Sequence, residues 1–517
     1  MKKFLALCLC FILVVGCLAG CGQDSADPNK EVTLTWVIGS EEPREVDKVL
    51  EKANEMLEDL LPNTKLSFVL DSSVASKWSL WMAGGKVFDI AHSGFDTDIQ
   101  TEINNGAYMP LNDLIDEYAP TIKELQTSEF KDLFDYGVYA GETYAIPCIQ
   151  TYCKEALTVS IPAALRQYLD VDRLVQVAYA SSTTTEEFYQ ILDDFLQSAK
   201  KAGAVGTDKI ADYINPEWTY AFAKRGYEFI GGQYSSVAYK LDPNEIKVVD
   251  FHQTDEFKTY IKWMSKWNAD GFISPDVLTG GGSSKMYIIE SHIVERQGEG
   301  TDHTKTVWAN DYNQDRLQIF VTNPEYDYKG APQLGKLQTF LSIPTTSKAP
   351  ERAMQFLDLI YSEKGKDLIN LLTFGFEGEQ YEKVSENAIK AFEYQAQPAG
   401  NVSYGIAPWR MGNMFNMYAV YPYDESTIEY ARNYWENVNP NRPLSAAYGM
   451  FFDANEHQKI LSDMAVVNQE YEEQLTCGVY ADYNELYNTM NDLNQKAGIE
   501  TLISTLQKQA DDYLASK

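Results

Sequence analysis

The chain has 517 residues, 75 of them Asp or Glu against 43 Lys or Arg, for a formal charge of −32. That acidic excess argues against a nucleic-acid binder and against a protein held on anionic lipid by basic residues. Five His and seven Cys leave few soft metal ligands, while 44% hydrophobic and 23% charged residues are ordinary globular values and argue against disorder throughout.

In chain order, Lys2 and Lys3 precede an unbroken apolar run, Phe4 to Val15. Twelve residues are too few to span a bilayer, which takes about 20, and they match the apolar centre of a secretory signal. Leu18-Ala19-Gly20-Cys21 follows and resembles the lipobox of bacterial lipoprotein signals. The resemblance implies cleavage before Cys21 and acylation of its sulfur, each buried CH₂ contributing about 0.8 kcal/mol to anchoring. Removing residues 1–20 takes two lysines and no acid, so the mature charge is −34. The body keeps Cys148, Cys153 and Cys477, which is no disulfide framework, and spacing leaves a Cys148–Cys153 bridge open. Residues 21–30 read as the lipidated Cys and a flexible tether.

Val32, Leu34, Trp36 and Ile38 alternate as in a strand that Gly39 closes, with Ser40 or Glu42 as helix cap and Pro43 in the first turn. Val46, Val49, Leu50, Ala53, Leu57, Leu60 and Leu61 then recur at helical spacing, and Lys65 to Leu70 is a second strand. Strand, helix, strand predicts a parallel βαβ unit with a right-handed crossover. A helix around Trp78 to Ala83 and a strand around Phe88 to Ala91 extend it into a doubly wound lobe. Such lobes bind ligands beyond the carboxyl ends of their strands.

Here the sequence resembles the extracellular solute-binding proteins of bacterial ABC importers, in their large carbohydrate-binding group. The residues that carry the resemblance are Met82-Ala83-Gly84-Gly85-Lys86-Val87-Phe88-Asp89-Ile90, Gly106-Ala107-Tyr108-Met109-Pro110-Leu111-Asn112-Asp113-Leu114-Ile115, Gly141-Glu142-Thr143-Tyr144-Ala145-Ile146-Pro147, and Ile343-Pro344 through Met354-Gln355-Phe356-Leu357-Asp358. Leu371-Leu372-Thr373-Phe374-Gly375-Phe376-Glu377-Gly378 with Tyr381, Trp409-Arg410-Met411-Gly412-Asn413, and Gln507-Lys508-Gln509-Ala510-Asp511 resemble lipoproteins with a distinctive C-terminal extension, although Tyr513 stands where Trp is usual. Residues 156–177 fit the family poorly.

Catalytic and metal signatures are absent or defective. There is no Gly-x-Ser-x-Gly elbow, His-Glu-x-x-His helix or Cys-x-x-Cys pair. Gly280 to Lys285 has P-loop ingredients at the wrong spacing, with Met286 where Ser or Thr belongs. Asp311, Asn313 and Asp315 start like a calcium loop, but Arg316 replaces the glycine and Thr322 the bidentate Glu. The 75 acids offer no pair that sequence singles out for glycoside cleavage.

Aromatics carry the stronger signal: 34 Tyr and nine Trp offer flat apolar faces with polar edges, which suit the C–H faces and hydroxyl rim of a sugar. Candidate binding residues are those at strand ends or in loops with polar neighbours: Ser40, Glu41, His92, Phe95, Asp96, Trp218, Trp308, Trp409, Arg410 and Asn413. Glu377, beside Gly375 and Gly378, reads equally as a turn residue. Trp263 and Trp267 read as the core face of a helix.

The expected fold is α/β, two-lobed and periplasmic-binding-protein-like (class II type), with hinge-linked lobes around a ligand cleft. The expected first lobe spans 31–146 and about 330–395; the second spans 147–329 and about 396–517 with a helical extension. Tyr144 and Pro147 mark the hinge. The resemblance implies a lipid-anchored extracellular protein, with no enzyme activity and no cofactor, that captures an oligosaccharide for an ABC permease. A monomer is expected. A non-sugar ligand such as a peptide or polyol, an extracellular glycan hydrolase and a surface sensor or adhesin are the alternatives.

Overall fold

A computed structural model describes residues 29–95, 97, 99–151, 155–180, 186–205, 226–231, 234–274, 277–279, 289–293, 304–306, 316–320, 328–331, 339–392, 404–421, 425–480 and 482–517. Cys21, Asp96, Cys153, Trp218 and Trp308 lie outside these residues, as do Gly280 to Lys285 and the acids at 311–315.

The first lobe is built on five strands: β1 (Val32–Ile38), β2 (Thr64–Leu70), β3 (Ile90–Gly94), β4 (Ile146–Pro147) and β5 (Thr339–Ser342). Their spatial order is β2-β1-β3-β5-β4. β1 pairs in parallel with β2 over its whole length and with β3 on its other side, the pairing that its βαβ pattern predicts. β5 runs antiparallel between β3 and β4. As a central strand, β1 is covered on both faces, and Leu34, Trp36, Val37 and Ile38 are all buried.

Local differences from the expected elements have physical causes. The helix after β1 starts at Val46 rather than in the turn of Pro43. Glu45 at its N-terminus takes a left-handed φ of 64° instead of capping through Ser40 or Glu42, and its carboxylate accepts from Gln380 Nε2 at 2.7 Å. β3 begins at Ile90 because the two preceding residues are committed elsewhere. The Phe88 ring lies 5.8 Å from that of Trp78, while the Asp89 carboxylate accepts from Thr35 N and Ser347 Oγ.

One core unites β1–β3, the helices Val46–Leu60 and Pro350–Tyr361, and also Tyr404, Ile406, Met411, Met417, Ala431, Tyr434 and Trp435. The segment from Tyr404 to Trp435 therefore packs in the first lobe, which corrects the expected start of the second lobe's last portion at about 396. Its apolar side chains are buried against helix Pro350–Tyr361 and its neighbours, and the chain reaches the other lobe's core only at Ala446.

The second lobe has a four-stranded antiparallel sheet in which Glu155–Pro162 lies centrally beside Ile289–Ile293 and Arg316–Phe320. The stretch that fits the family poorly thus supplies that strand, a 3₁₀ turn over Ala163–Tyr168 and the helix Val171–Ala180. Helix Asp255–Ala269, capped by Thr254 Oγ1 accepting from Phe257 N, buries Trp263 and Trp267 as its spacing predicts. A further core joins the strands Val237–Lys240 and Val248–Asp250, which share a sheet with Tyr227–Phe229, to the helices Gln458–Thr476 and Ile499–Ser516. Helix Tyr483–Ala497 packs beside them, its N-terminus capped by Asp482.

Candidate functional site

The carboxyl ends of β1, β2 and β3 share one edge of the first sheet, and the chain leaves for the second lobe at the same edge. Thr339 stands opposite Gly94, the last residue of β3, and its carbonyl accepts from Cys148 N at 2.9 Å. Thr339 Oγ1 also accepts from Gln150 Nε2 at 2.9 Å, joining two crossing segments in a buried contact. Pro147 ends β4, and its carbonyl accepts from the buried Tyr361 hydroxyl at 2.7 Å. Burial pushes the Tyr361 phenol well above its usual pKa, so it stays a hydroxyl donor at neutral pH. Tyr144 is bonded at the opposite end of this strand, donating its N–H to Gly137 O inside the first lobe.

On this edge stands an aromatic cluster. The Phe95 and Trp409 rings lie 5.2 Å apart at 72°, edge to face, and the His92 ring is 5.7 Å from Trp409. The Arg410 guanidinium lies 4.2 Å from the Trp409 ring centre and 5.1 Å from that of Phe95. Arg410 and His92 are buried, whereas Phe95 is 58% exposed and Trp409 half-buried. An exposed phenyl ring held by a buried cation and a neighbouring indole is a rigid apolar surface with a polar support.

Local chemistry explains how distant segments meet there. Pro408 opens a 3₁₀ turn over Pro408–Arg410 that sets Trp409 and Arg410 side by side. Gly412 follows with φ 123°, and a Cβ there would lie 3.1 Å from the Tyr361 ring, so glycine lets the loop lie against the helix. The Asn413 side chain accepts from Phe415 N and caps the next turn, Met414–Asn416. Met414 N donates to Ile149 O at 2.7 Å, fastening this loop to the first crossing segment.

Of the expected binding residues, His92, Phe95, Trp409 and Arg410 come together. Asn413 supports their loop through its cap. Ser40 and Glu41 stand at the carboxyl end of the adjacent β1, with Ser40 Oγ donating to Glu41 O. Glu377 lies in a turn between Gly375 (φ 79°) and Gly378 (φ 82°), beside which Gln380 Oε1 accepts from Phe376 N. Sequence reasoning missed Gln150, Thr339 and Tyr361. Gln150 lies three residues past the motif's last residue, Pro147, and its polarity after the apolar Cys148 and Ile149 was the available signal. Among the described residues no group of His, Cys, Asp and Glu could hold a metal ion, and no helix is long and apolar enough to cross a membrane.

Comparison with known proteins bears on this arrangement. Residues 446–515 match a family described as a domain of unknown function, DUF3502. The chain is 22% identical to a carbohydrate ABC transporter substrate-binding protein of Streptococcus pneumoniae serotype 4, over 100% of this chain and 99% of the relative. The crystal structure of the N-glycan transport solute binding protein NgtS from Streptococcus pneumoniae superposes with a TM-score of 0.69 at 18% identity, covering 94% of this chain and 99% of that one. Its complex with Man1GlcNAc gives 0.66 at 18%, covering 93% and 99%. An HMO-binding solute-binding protein from Bifidobacterium longum infantis gives 0.58 at 15%, covering 94% and 99%. The fold is that of the two-lobed solute-binding proteins.

Proposed function

We infer that this chain, a solute-binding protein of the carbohydrate ABC-importer type, captures a glycan of several sugar units between its lobes and delivers it to a membrane permease. The observation that carries this reading is the exposed Phe95 ring braced by Trp409 and Arg410 at the edge where the chain crosses between lobes. A pyranose presents C–H groups on its faces and hydroxyls at its rim, so it stacks on such a ring while nearby polar groups bond the rim. Lobe closure about the crossing at Pro147 to Gln150 buries the sugar. Binding and release are the whole task, and the chain catalyses nothing. Acylation of Cys21 holds it on the outer face of the cell membrane, as a monomer, through the polar tether.

Mannose–GlcNAc oligosaccharides are the first probes, because the NgtS relative was crystallised with Man1GlcNAc. A ligand that binds only the folded state stabilises it by about 2.7 kcal/mol at a hundredfold excess over Kd. Thermal-shift screening against these oligosaccharides, an HMO panel and mixed peptides should raise Tm with a glycan only. A shift with peptides alone, or with none of the glycans, would sink the assignment.

A further inference from the structure

We propose that the C-terminal domain, residues 446–515, is the brace that fixes the separation of the two lobes, acting through Tyr448 and Asn455. This goes beyond the carbohydrate reading and does not rest on it.

The brace grips the first lobe at two places. Tyr448 Oη donates to Asp132 Oδ1 at 2.9 Å, and Asp132 belongs to the first-lobe helix Lys131–Asp135. The other carboxylate oxygen, Oδ2, receives Lys329 Nζ at 2.6 Å and Asn439 Nδ2 at 2.9 Å. Lys329 is itself tied to the stretch that leads from Trp435 into the C-terminal domain, since its N–H donates to Pro443 O and its carbonyl accepts from Ser445 N. One first-lobe carboxylate therefore gathers Lys329, Asn439 just before the C-terminal domain, and Tyr448 at its start. Farther along, Tyr139 Oη is shared between Asn455 Oδ1 at 2.5 Å and the first-lobe Asn104 Oδ1 at 3.0 Å, and the Phe451 ring lies 5.8 Å from that of Tyr139.

The same strip is held from behind by the last helix of the domain. Tyr513 Oη donates to Tyr448 O at 2.6 Å, and Gln509 bonds both the N–H and the carbonyl of Asp453. Lys517 Nζ donates to Ala446 O at 3.0 Å. Gln507 fixes that helix to the second-lobe strands by accepting from Val248 N and donating to Ile246 O. Force between the lobes thus passes from Asp132 through Tyr448 to a helix stapled on the second lobe, and any rotation of one lobe against the other must carry or break these bonds.

The test reads the interlobe distance without any ligand. Spin labels on ketone-bearing unnatural residues placed at Glu55 and Lys201, both exposed, report the separation in the full chain. Tyr448→Phe keeps the ring and removes one hydrogen bond to a charged acceptor, which is worth roughly a tenfold change in a two-state population. The expected result is a shift of that order from the wild-type separation to another. Tyr139→Phe, at the other grip, is the second variant should the first not fold, and it shifts the distribution in the same way. Distances unchanged in the folded variants overturn the proposal, even where Tm falls, because lost stability alone is what a passive domain would give.

Discussion

Arg410 lays its guanidinium 4.2 Å from the ring centre of Trp409, its neighbour in a single 3₁₀ turn, and 5.1 Å from Phe95 across the sheet edge. Arg410 is buried while Phe95 is exposed, so the cation supports the aromatic surface from the protein side. Lysine cannot replace it there, because an ammonium lacks the planar face that stacks on an indole.

Trp409 braces this surface, and truncating it removes both the indole and the support of Phe95. Trp409→Ala should weaken glycan binding by about 2 kcal/mol, the loss typical of an aromatic anchor at a binding surface. That is roughly thirtyfold in Kd. Isothermal titration calorimetry with the glycan found by thermal shift measures it, and an unchanged Kd would remove Trp409 from the site.

Phe95 separates binding from stability. Its exposed ring contributes little to the core, so Phe95→Ala should change unfolding free energy by less than about 0.5 kcal/mol while glycan affinity falls. Urea denaturation and calorimetry on the same sample check both halves. Equal loss in the two would show a packing role instead.

Tyr361 anchors the first crossing through its bond to the Pro147 carbonyl. Tyr361→Phe keeps the packing and deletes the donor in a fully buried setting, at a cost of about 1–2 kcal/mol. The midpoint of urea unfolding should fall with an unchanged slope. A midpoint equal to wild type would mean that Pro147 is satisfied without it.

Asp132 makes stability depend on acid. Burial raises its pKa, but donation from Lys329, Asn439 and Tyr448 outweighs burial and holds the carboxyl below its usual range. A carboxyl depressed in the folded state stabilises fully above its unfolded value, about 3.9, and that stabilisation is lost as pH falls through the lower folded value. Asp132→Asn should therefore be less stable than wild type at pH 7, with the gap closing below about pH 4. Denaturation curves at pH 7 and pH 3 decide it; a gap that is constant with pH would exclude the charge as its source.

What the sequence made legible follows from range. The unit of β1, helix and β2 was readable because its period and its turns are local, and Trp263 and Trp267 declared their core face by spacing alone. The motif at Trp409 announced a loop, but its meeting with Phe95 joins residues more than three hundred apart, which no periodicity reports. For the same reason the sequence does not reveal that the segment from Tyr404 to Trp435 packs in the first lobe: its apolar residues mark a buried face without saying whose core receives it. Glu45 could not be read as left-handed, since the partner of its carboxylate, Gln380, comes from a distant turn.

The position of β5 also dictates an order of events in folding. β5 pairs with β3 on one side and β4 on the other, yet the whole first part of the second lobe is made between residues 147 and 339. A chain emerging from its N-terminus forms β1, β2 and β3 early and then holds β3 with one flank unpaired. Such an edge invites pairing with another chain until β5 arrives. Closure of a sheet across so long a loop is also slow. The first lobe therefore passes through an aggregation-prone interval set by how quickly residues 147–342 are delivered, and a chain cut short before Thr339 should be lost to aggregation rather than persist as half a protein.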